Sequence, residues 1–312
     1  MHQLRVNDQI ISVTSGANLL DALIDAGEPV AWSCRAGSCQ ACLIKAVEGD
    51  VPPSAQHYLA PDQQQAGWLL ACQCAVRSDM TLQLHDPTRD ALAARVVDTA
   101  QLNSHTLRLR IKPQGPFRFT PGQHATLWLN PQLGRPFSIA SQSDDPWLEF
   151  HLRLSPDGEF TVPAAQLRAG DVLHIGAASG HLHFDPAWAD RPLLMLSRGT
   201  GLAPISAITR DALQRTHTAP ITLWHWSSEG CYLADELLEL AAHYPQLRLH
   251  LRSTEELAND LTRLGALHRR TLALLCGSPG FIELLPKPLF LAGLPGRQVL
   301  TEAFFNPHNL SL

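Results

Sequence analysis

The sequence lacks the features that would assign the protein to a membrane or a nucleic acid. It has no apolar run of the roughly 18 residues that a membrane-spanning helix needs, and its first residues, MHQLRVNDQIISV, lack the apolar centre of a signal peptide. Basic residues are not in excess, because 24 Lys and Arg stand against 29 Asp and Glu, whereas nucleic-acid binders usually present a basic patch. We therefore expect a cytoplasmic protein with neither a membrane nor a nucleic acid as partner.

The composition also argues against a disordered or disulfide-bonded chain. Apolar residues make up 45% and charged residues 17% of the 312 residues, which suits two or three globular domains. Seven cysteines are present, and five of them lie between residues 34 and 74. In a reducing compartment, an uneven and local set of thiols indicates metal binding or chemistry rather than disulfide bonds.

Hydrophobic periodicity divides the chain into three blocks. Residues 1–86 contain a strand-like start over Leu4–Val13, an amphipathic helix near Asn18–Ala26 and the cysteine-rich stretch. Residues 92–186 contain short β segments separated by Pro and Gly, which predicts a small antiparallel barrel. In residues 190–312, strands alternate with helices, which predicts a parallel α/β sheet. The fold class is therefore multidomain, with α+β and α/β parts.

The segment His85–Thr88 between the first two blocks is predicted to be a linker. In the later blocks, the expected strands are 95–98, 106–111, 124–129, 136–140, 148–154, 172–175, 193–197, 221–226, 247–251, 272–276 and 298–301.

The strongest motif is C-x₄-C-x₂-C, formed by Cys34, Cys39 and Cys42, with Cys72 as a distant fourth cysteine. This spacing is typical of a plant-type [2Fe–2S] site, in which four thiolates bind two irons. Gly37 lets the loop backbone approach the inorganic sulfides without an intervening Cβ. Backbone N–H groups of such a loop can also donate hydrogen bonds to the sulfurs.

Two alternatives compete with the cluster at these cysteines. A structural zinc site usually takes paired C-x₂-C units, and the step from Cys34 to Cys39 fits that pattern poorly. The cysteines could also be buried as small hydrophobic residues. Cys74 is a second candidate for the fourth ligand, but the spacing favours Cys72 and leaves Cys74 as a bystander thiol.

Three later stretches extend the pattern into a known family: RPFSIAS at 135–141, RGTGLAP at 198–204 and CGSP at 276–279. With the cysteines, they make residues 1–86 resemble a plant-type ferredoxin domain and the rest resemble the ferredoxin–NADP reductase superfamily. The domain order is similar to that of reductase components of bacterial multicomponent oxygenases, such as benzoate dioxygenase reductase. The resemblance covers nearly the whole chain. It implies a β-grasp ferredoxin domain, an antiparallel β-barrel that binds flavin and a parallel α/β domain that binds NAD(P).

In the middle block, the resemblance implies a site for FAD, because relatives that use FMN usually carry their ferredoxin domain at the other end. Arg135 can offer a bidentate fork to a pyrophosphate, Phe137 can lie against the isoalloxazine ring, and the hydroxyl of Ser138 can reach the N5 edge. Taken singly, Arg135 could be a surface charge and Phe137 a core aromatic. The family pattern adds Ile139, Arg153 and Thr161.

In the third block, Gly199, Thr200, Gly201 and Pro204 form a turn that precedes a helix, where a pyrophosphate can approach the backbone. A G-x-G pair alone is weak evidence, since glycines often only turn a chain. The family's usual form has glycine in place of Arg198. That side chain could contact the nucleotide or obstruct it, and the sequence leaves both possibilities open.

The resemblance also supplies candidates for residues at the reacting atoms. Cys276 corresponds to a family cysteine near the nicotinamide C4, and Glu302 and Phe304 correspond to the acidic and aromatic residues of the family's carboxyl-terminal ending near the flavin. We therefore predict Cys276, Ser138 and Glu302 as catalytic residues and Phe304 as a flavin contact. The alternative for Cys276 is a buried cysteine that ends a strand.

NADH is favoured over NADPH as the reductant. The stretch Trp224–Ser228 contains no arginine to pair with a 2′-phosphate, and an unpaired phosphate would find no cation there. Separately, the segment Ser253–Arg270 departs from the family pattern, because it is short and lacks the W-x-G-x-x-G-type stretch seen in many relatives.

Together, these features predict an NADH-dependent iron–sulfur flavoprotein reductase. It would pass electrons from NADH through FAD and the [2Fe–2S] cluster to an acceptor protein, an oxygenase or hydroxylase component, by a transient contact. Two alternatives stay open: a stand-alone reductase of a small soluble acceptor, and an electron carrier that has lost nicotinamide binding.

Overall fold

A computed structural model describes residues 1–215 and 217–305. Residues 216 and 306–312 of the predicted third block lie outside the described residues. The strands form three separate sheets, one from each predicted block. The predicted fold class is therefore confirmed. Along the described chain, no helix is long and apolar enough to cross a lipid bilayer.

The first sheet is mixed, with five strands in the order β2-β1-β5-β3-β4. Its strands are β1 (His2–Val6), β2 (Gln9–Val13), β3 (Leu43–Glu48), β4 (Trp68–Leu70) and β5 (Met80–Leu84). Helix α1 (Leu19–Asp25) buries Leu19, Leu20 and Leu23 against the sheet. The side chain of Asn18 caps α1 by accepting the N–H of Asp21, and Ala26 follows the last turn, so the predicted helix is confirmed. A short helix α2 (Pro61–Gln65) precedes β4.

The sequence prediction was wrong at one place in this region and missed a short helix at another. Leu4–Val13 is a hairpin of β1 and β2 rather than one strand, because the chain turns at Asn7, whose φ of 51° lies in the left-handed region that asparagine tolerates. The linker contains helix α3 (Pro87–Asp90), which Asp86 caps by accepting the N–H of Thr88. The ring of His85 stacks on Trp128 of the second sheet at 4.6 Å between centroids, so this segment is packed.

The second sheet is a six-stranded antiparallel barrel. Its strands are β6 (Leu92–Asn103), β7 (Thr106–Pro113), β8 (His124–Asn130), β9 (Leu133–Ser138), β10 (Leu148–Arg153) and β11 (Val172–Ile175), in the order β10-β7-β6-β11-β8-β9. A bridge between Ile139 and Phe150 joins the two edges of this order and closes the barrel. The six expected strands of this block are confirmed. A short helix α4 (Thr161–Ala164) lies between β10 and β11.

The third sheet is parallel, with strands β12 (Leu193–Arg198), β13 (Ile221–Ser227), β14 (Leu247–Ser253), β15 (Leu272–Gly277) and β16 (Val299–Ala303) in the order β14-β13-β12-β15-β16. Its two faces carry separate apolar cores, as a sheet covered on both sides requires. The covering helices are α5 (Leu202–Gln214), α6 (Ala234–His243), α7 (Leu257–Thr262), α8 (Pro279–Leu284) and α9 (Pro286–Leu291). The expected strands of this block are also confirmed.

The barrel and the parallel sheet are in close contact beside β8. Gly122 has a φ of +99°, and a Cβ built there would lie 2.5 Å from Cγ1 of Ile208 on α5. The amide of Gln142 donates to the carbonyl of Ala207 at 3.0 Å, and Arg210 donates to the carbonyl of Ala140. The barrel therefore packs directly on α5, which fixes how the two sheets face the cavity between them.

Candidate functional site

The four motif cysteines lie together at one end of the first sheet. Cys34 and Cys39 are in the loop after α1, Cys42 immediately precedes β3, and Cys72 is in the 3₁₀ turn that follows β4. All four are buried, between 3% and 8% exposed. The N–H of Ala71 donates to the carbonyl of Cys42 at 3.0 Å, which brings the distant cysteine to the loop.

The thiols are arranged as two interacting pairs. A hydrogen bond from Cys39 lowers the pKa of Cys34 to about 5, and one from Cys42 lowers the pKa of Cys72 to about 7. The pKa values of Cys39 and Cys42 are raised by the same bonds and by burial. In residues 1–215 and 217–305, no three His, Cys, Asp or Glu side chains surround one metal-ion position. Two pairs of sulfur donors are the arrangement that a two-iron cluster needs.

Further donors point at the sulfurs. The N–H of Ala36 lies 3.3 Å from Sγ of Cys34, and the hydroxyl of Ser38 lies 3.5 Å from the same sulfur. The side-chain amide of Gln73 donates to the carbonyl of Arg35 at 3.0 Å and so ties the loop to the 3₁₀ turn. These donors favour the thiolate form that binds iron.

The structure gives Gly37 a reason beyond the one drawn from sequence. Its φ is +82°, and a Cβ there would meet the ring of Tyr58 at 3.0 Å and the side chain of Gln73 at 3.1 Å. Cys74 lies in the apolar core of the first sheet with no exposed surface, and burial raises its pKa to about 11. A protonated thiol in that core is consistent with Cys74 not being a ligand of the cluster.

One cavity of about 1110 Å³ begins at the cysteine loop and extends between the barrel and the parallel sheet. Its volume slightly exceeds the roughly 300–1,000 Å³ of ordinary small-molecule pockets. The predicted residues that line it are Arg135, Phe137, Ser138, Arg153, Thr161, Gly199, Thr200, Glu302 and Phe304, with Cys34 and Cys39 at one end. Residues from three separate sheets therefore meet around a single space.

The barrel side of the cavity carries groups suited to a flavin nucleotide. Arg135 is paired with Glu159 at 2.5 Å, and Arg153 is exposed at the end of β10. The ring of Phe137 packs on Phe160 at 4.9 Å. The hydroxyl of Thr161 is buried and makes no hydrogen bond within the described part of the chain. A buried hydroxyl and two arginines that line the same cavity are a fitting environment for phosphate oxygens.

Ile139 differs from the other predicted flavin residues. Its side chain is fully buried in the barrel core, and its backbone forms the bridge that closes the barrel. It does not line the cavity. Its side chain therefore belongs to the barrel core behind the cavity wall.

The predicted nucleotide turn is a 3₁₀ turn between β12 and α5. Gly199 has a φ of +57°, and a Cβ there would meet no atom within 4 Å, so its surface is open to the cavity. Gly201 is buried, and a Cβ there would lie 2.2 Å from the carbonyl oxygen of Cys276. Pro204 is the third residue of α5 and is buried. Arg198 is half-buried and lines the cavity, where its charge can meet a pyrophosphate.

Cys276 is placed behind the cavity rather than at its surface. It is fully buried at the end of β15, and burial raises the pKa of its thiol well above the usual value. It does not line the cavity, whereas Ser278 and Pro279, which follow it closely, do. Glu302 lies beside Cys276 in the neighbouring strand β16 and faces the cavity. The carboxylate of Glu302 accepts the hydroxyl of Ser138 at 3.3 Å, so two of the predicted catalytic residues are in contact.

A histidine that was not among the predicted site residues lies at this contact. His124 is 5% exposed. Its Nδ1 is 3.2 Å from Oε1 of Glu302, and its Nε2 is 3.2 Å from the carbonyl oxygen of Ser38. We call His124, Glu302, Ser138 and Ser38 the cluster-side junction. No sequence motif singled out His124; it is the first residue of β8.

Burial disfavours the charged imidazole of His124, but contact with Glu302 and the Ser38 carbonyl more than offsets it and raises the pKa of His124. Phe305 was also missed from sequence. It packs on Cys34, Cys39 and Ala41.

A second junction borders the same cavity, at the loop between β13 and α6. Nδ1 of His151 is 3.2 Å from the hydroxyl of Tyr232, and its Nε2 is 2.8 Å from Oε1 of Glu149. We call His151, Glu149 and Tyr232 the nucleotide-side junction. Close by, Glu229 contacts Ser104 and His105 of the barrel.

Burial alone would raise the pKa of Glu149, but the hydrogen bond from His151 and the ion pair with Arg110 lower it to about 2. The carboxylate therefore stays charged inside the junction at neutral pH.

Comparison with known proteins agrees with this arrangement. Residues 4–77 match the model of the 2Fe-2S iron-sulfur cluster binding domain. The reductase component of the naphthalene 1,2-dioxygenase system of Pseudomonas putida, a ferredoxin–NAD(P)(+) reductase, is 30% identical over 97% of this chain and 98% of its own length.

Two solved structures are similar over almost the whole fold. The Amycolatopsis reductase GcoB has a TM-score of 0.65 at 25% identity, covering 97% of this chain and 99% of that one. The ferredoxin reductase in carbazole 1,9a-dioxygenase has a TM-score of 0.64 at 22% identity, covering 97% and 98%. With its paired cysteines and its continuous cavity, the chain belongs to the family of the ferredoxin–NAD(P)(+) reductase components of oxygenase systems.

Proposed function

We propose that the protein is an NADH-dependent reductase that passes electrons through FAD and a [2Fe–2S] cluster to a protein acceptor of an oxygenase system. The observation that supports this most directly is the single cavity that leads from the cysteine loop, past Ser138 and Glu302, to the turn at Gly199. Each cofactor of such a reductase would have its own set of residues along that cavity. The acceptor would be an oxygenase or hydroxylase component, or a ferredoxin that serves one.

The proposed cluster ligands are Cys34, Cys39, Cys42 and Cys72. The proposed flavin residues are Arg135, Phe137, Ser138, Ile139, Arg153, Thr161 and Phe304, and the proposed nucleotide residues are Gly199, Thr200, Gly201 and Pro204. When bound, the flavin supplies the conversion between a two-electron donor and a one-electron acceptor. The protein supplies orientation and charge.

Ser138 and Glu302 have a proposed role at the flavin. The hydroxyl of Ser138 donates to Glu302, so a proton is held at the oxygen of Ser138, and both side chains line the cavity. Cys276 supports the same wall from behind, since its carbonyl packs against Gly201 and its strand partner is Glu302. We therefore propose a positioning role for Cys276, in addition to the catalytic role suggested by family resemblance.

Arg135 is proposed to bind the flavin pyrophosphate. In the structure, its guanidinium is paired with Glu159, whose side chain is about half exposed. A carboxylate in front of an arginine fork occupies the place where a phosphate would bind, and it can swing into solvent when a phosphate competes for the fork.

A preference for NADH over NADPH is supported at the far end of the cavity. Ser227, Ser228 and Glu229 line it there, next to the loop between β13 and α6. A carboxylate can accept the hydroxyls of a ribose but repels a 2′-phosphate. Nearby Arg252 is engaged with Glu256 and Asp260, so its charge is already compensated.

The acceptor is proposed to dock over the cysteine loop. Tyr58, which is 44% exposed, and the half-buried Gln40 both lie beside the cysteines, so the loop is close to the surface there. Electron-transfer partners generally use small, short-lived contacts. The cytoplasmic location remains a prediction from the cysteines.

The test is an anaerobic titration of the purified holoprotein with NADH, followed by visible absorbance and low-temperature EPR. We expect flavin bleaching together with an S = ½ signal from the reduced cluster, and a weaker response to equal NADPH. If dithionite produces the signal and neither nucleotide does, the electron-carrier alternative replaces the reductase.

Turnover with a purified oxygenase component separates the remaining alternatives. Electron delivery that requires the protein partner supports the proposal, whereas equal turnover with a free flavin or quinone supports a stand-alone reductase. Arg198→Gly is the matched variant for the nucleotide turn. We expect it to weaken NADH binding, because the cationic side chain lines the cavity beside Gly199.

A further inference from the structure

His124 connects all three sheets at one point. It begins β8 of the barrel, where it pairs with Ser138 of β9, and its side chain reaches Glu302 of β16 and Ser38 of the cysteine loop. Its own backbone is held by two hydrogen bonds with Ser179, at 2.8 and 2.9 Å. The ring therefore sits at a fixed place between the cluster ligands and the flavin residues.

The neighbours of the ring define its protonation. The carbonyl of Ser38 and the carboxylate of Glu302 can only accept, so a ring with a hydrogen on both nitrogens presents one to an acceptor on each side. The contact with Glu302 is off the line of an ideal hydrogen bond and acts as an ion pair at 3.2 Å. The hydroxyl of Ser179 lies 3.1 Å from Nε2 and can accept as well. A doubly protonated, positively charged imidazole therefore faces an accepting group with each N–H, whereas a neutral ring would face one of these acceptors with a bare nitrogen.

The surrounding backbone leaves room for this ion pair and little else. Gly180 has a φ of +107°, and a Cβ there would come within 2.9 Å of Nδ1 of His124 and 3.7 Å of the carboxylate of Glu302. The chain beyond Glu302 then reaches the cysteine loop itself, because the hydroxyl of Ser33 donates to the carbonyl of Phe305 at 3.3 Å. The backbone of His124 and the segment that follows Glu302 are therefore both held in place by hydrogen bonds.

We propose that His124 is a positioning residue whose protonated ring fixes the cysteine loop to the flavin-side carboxylate and whose charge stabilises the reduced cluster. The proposal rests on the function proposed above, because it concerns the cluster of that reductase. Reduction adds one electron, given up by NADH or by dithionite, and makes the cluster one unit more negative. No bond or proton is exchanged at His124, which keeps its charge in both states.

The test is a mediated redox titration of the holoprotein with dithionite, monitored by the EPR signal of the cluster. His124→Gln keeps a hydrogen-bond donor of similar reach but removes the charge. At a fixed potential, we expect the ratio of reduced to oxidised cluster to fall on the order of tenfold, as for the loss of one nearby charge in a protein interior. We also expect an altered EPR line shape, because Ser38 is adjacent to a ligand.

His151→Gln is the matched control. His151 is also a buried barrel histidine beside a glutamate, but it contacts Tyr232 and not the cysteine loop. We expect the cluster of the His151→Gln protein to have the same reduction potential as that of the wild type. Equal shifts in both variants, or a wild-type potential and line shape in a His124→Gln protein with full cluster content, would overturn the proposal.

His124→Lys provides a second measurement that does not depend on glutamine being tolerated. Lysine retains the charge but not the ring. We therefore expect the ratio of reduced to oxidised cluster at a fixed potential to stay near that of the wild type, while the EPR line shape changes. A tenfold fall in the ratio of reduced to oxidised cluster, despite the retained charge, would contradict the electrostatic role of His124. Because dithionite is the reductant, these results stand even if NADH fails to reduce the wild-type protein, which would refute only the proposed function.

Discussion

The two junctions around the cavity use the same chemical pair, a buried histidine and a glutamate, for different connections. In the cluster-side junction, the glutamate comes from the parallel sheet, and the second ring nitrogen faces the cysteine loop, so His124 links three sheets. In the nucleotide-side junction, Glu149 and His151 belong to the same strand, and only Tyr232 comes from another part of the chain, the loop between β13 and α6. His124 therefore bears on the relative placement of three cofactor sites, whereas His151 bears on two.

The difference is also electrostatic. Glu302 has His124 as its ion-pair partner, so that carboxylate faces the cavity with one cation behind it. Glu149 has two partners, His151 and Arg110, and Arg110 also lies over the ring of Trp147. The nucleotide-side junction is thus a neutralised structural network, and the cluster-side junction keeps its groups available to the cavity. The experiments below break one junction at a time.

Replacing a proposed cluster ligand has the largest expected effect. Cys42→Ser removes a sulfur donor from one of the two cysteine pairs, and a hydroxyl is a poor ligand for the cluster irons. We expect the visible absorbance of the cluster and its S = ½ signal to disappear, while bound flavin and its reduction by NADH persist. Absorbance and EPR of the purified variant measure both.

Cys74→Ala is the matched control for that experiment. Cys74 is two residues from Cys72, but it lies in the apolar core. A full cluster in Cys74→Ala and none in Cys42→Ser is expected. Loss of the cluster in the Cys74 variant instead would move the fourth ligand from Cys72 to Cys74.

Crowding the barrel where it meets α5 is expected to have the next largest effect. Gly122→Ala forces a Cβ within 2.5 Å of Ile208 and imposes a φ of +99° on alanine. Overpacking and backbone strain together predict a loss of about 2 to 4 kcal/mol in the free energy of unfolding. Because Gly122 is two residues from His124, we also expect a changed EPR line shape. Urea unfolding and EPR provide the measurements.

Gly170→Ala separates strain from crowding. Gly170 has a φ of +97°, almost the same as Gly122, but a Cβ there meets no atom within 4 Å. The Gly170→Ala protein should lose only about 1 kcal/mol in its free energy of unfolding. If Gly122→Ala and Gly170→Ala lost equal amounts of unfolding free energy, crowding against α5 would contribute nothing to the effect at Gly122.

The contrast between local and distant contacts explains what the sequence could predict. The three loop cysteines lie within nine residues, so their spacing alone identified a cluster. Strand periodicity likewise predicted the barrel and the parallel sheet, because each strand is a local feature. The hairpin at Asn7 and the helix at Pro87–Asp90 were missed although Asn-Asp and Asp-Pro are turn and capping signals, since each element is only a few residues long.

The junctions could not be read from any local pattern. Ser138 and Glu302 are 164 residues apart, and His124 and Ser38 are 86 residues apart. A histidine in a strand is compatible with a barrel core, a surface or a junction, and only the packing of three sheets decides among them. Family resemblance supplied Ser138 and Glu302, but it gave no reason to single out His124 or Phe305.

The nucleotide-side junction predicts a pH dependence of stability. The folded-state pKa of Glu149 is about 2, below its ordinary value of 4.5, so its contribution is complete above pH 4.5 and is lost as the pH falls towards 2. Since the carboxylate retains some exposure, we expect a contribution on the order of 2 kcal/mol. Glu149→Gln should lower the free energy of unfolding at pH 7 by about that amount.

The matching measurement is urea unfolding of both proteins at several pH values between 3 and 7. The difference in unfolding free energy between the wild type and Glu149→Gln should become smaller as the pH falls. Asp190→Asn is the control, because Asp190 forms only an exposed ion pair with Arg270. A gap that stays constant with pH would show that Glu149 acts through packing and not through its charge.

The smallest expected effect comes from removing a single hydroxyl at the nucleotide-side junction. Tyr232→Phe leaves Nδ1 of His151 without its hydrogen-bond partner, which predicts a loss of about 1 kcal/mol in the free energy of unfolding. We also expect weaker NADH binding, since both side chains line the cavity, and an unchanged cluster potential. Tyr244→Phe is the control, because the Tyr244 hydroxyl makes no side-chain hydrogen bond among the described residues. A shifted cluster potential in Tyr232→Phe would mean that the two junctions are coupled through the barrel, and His124 would then no longer be the particular link to the cysteine loop.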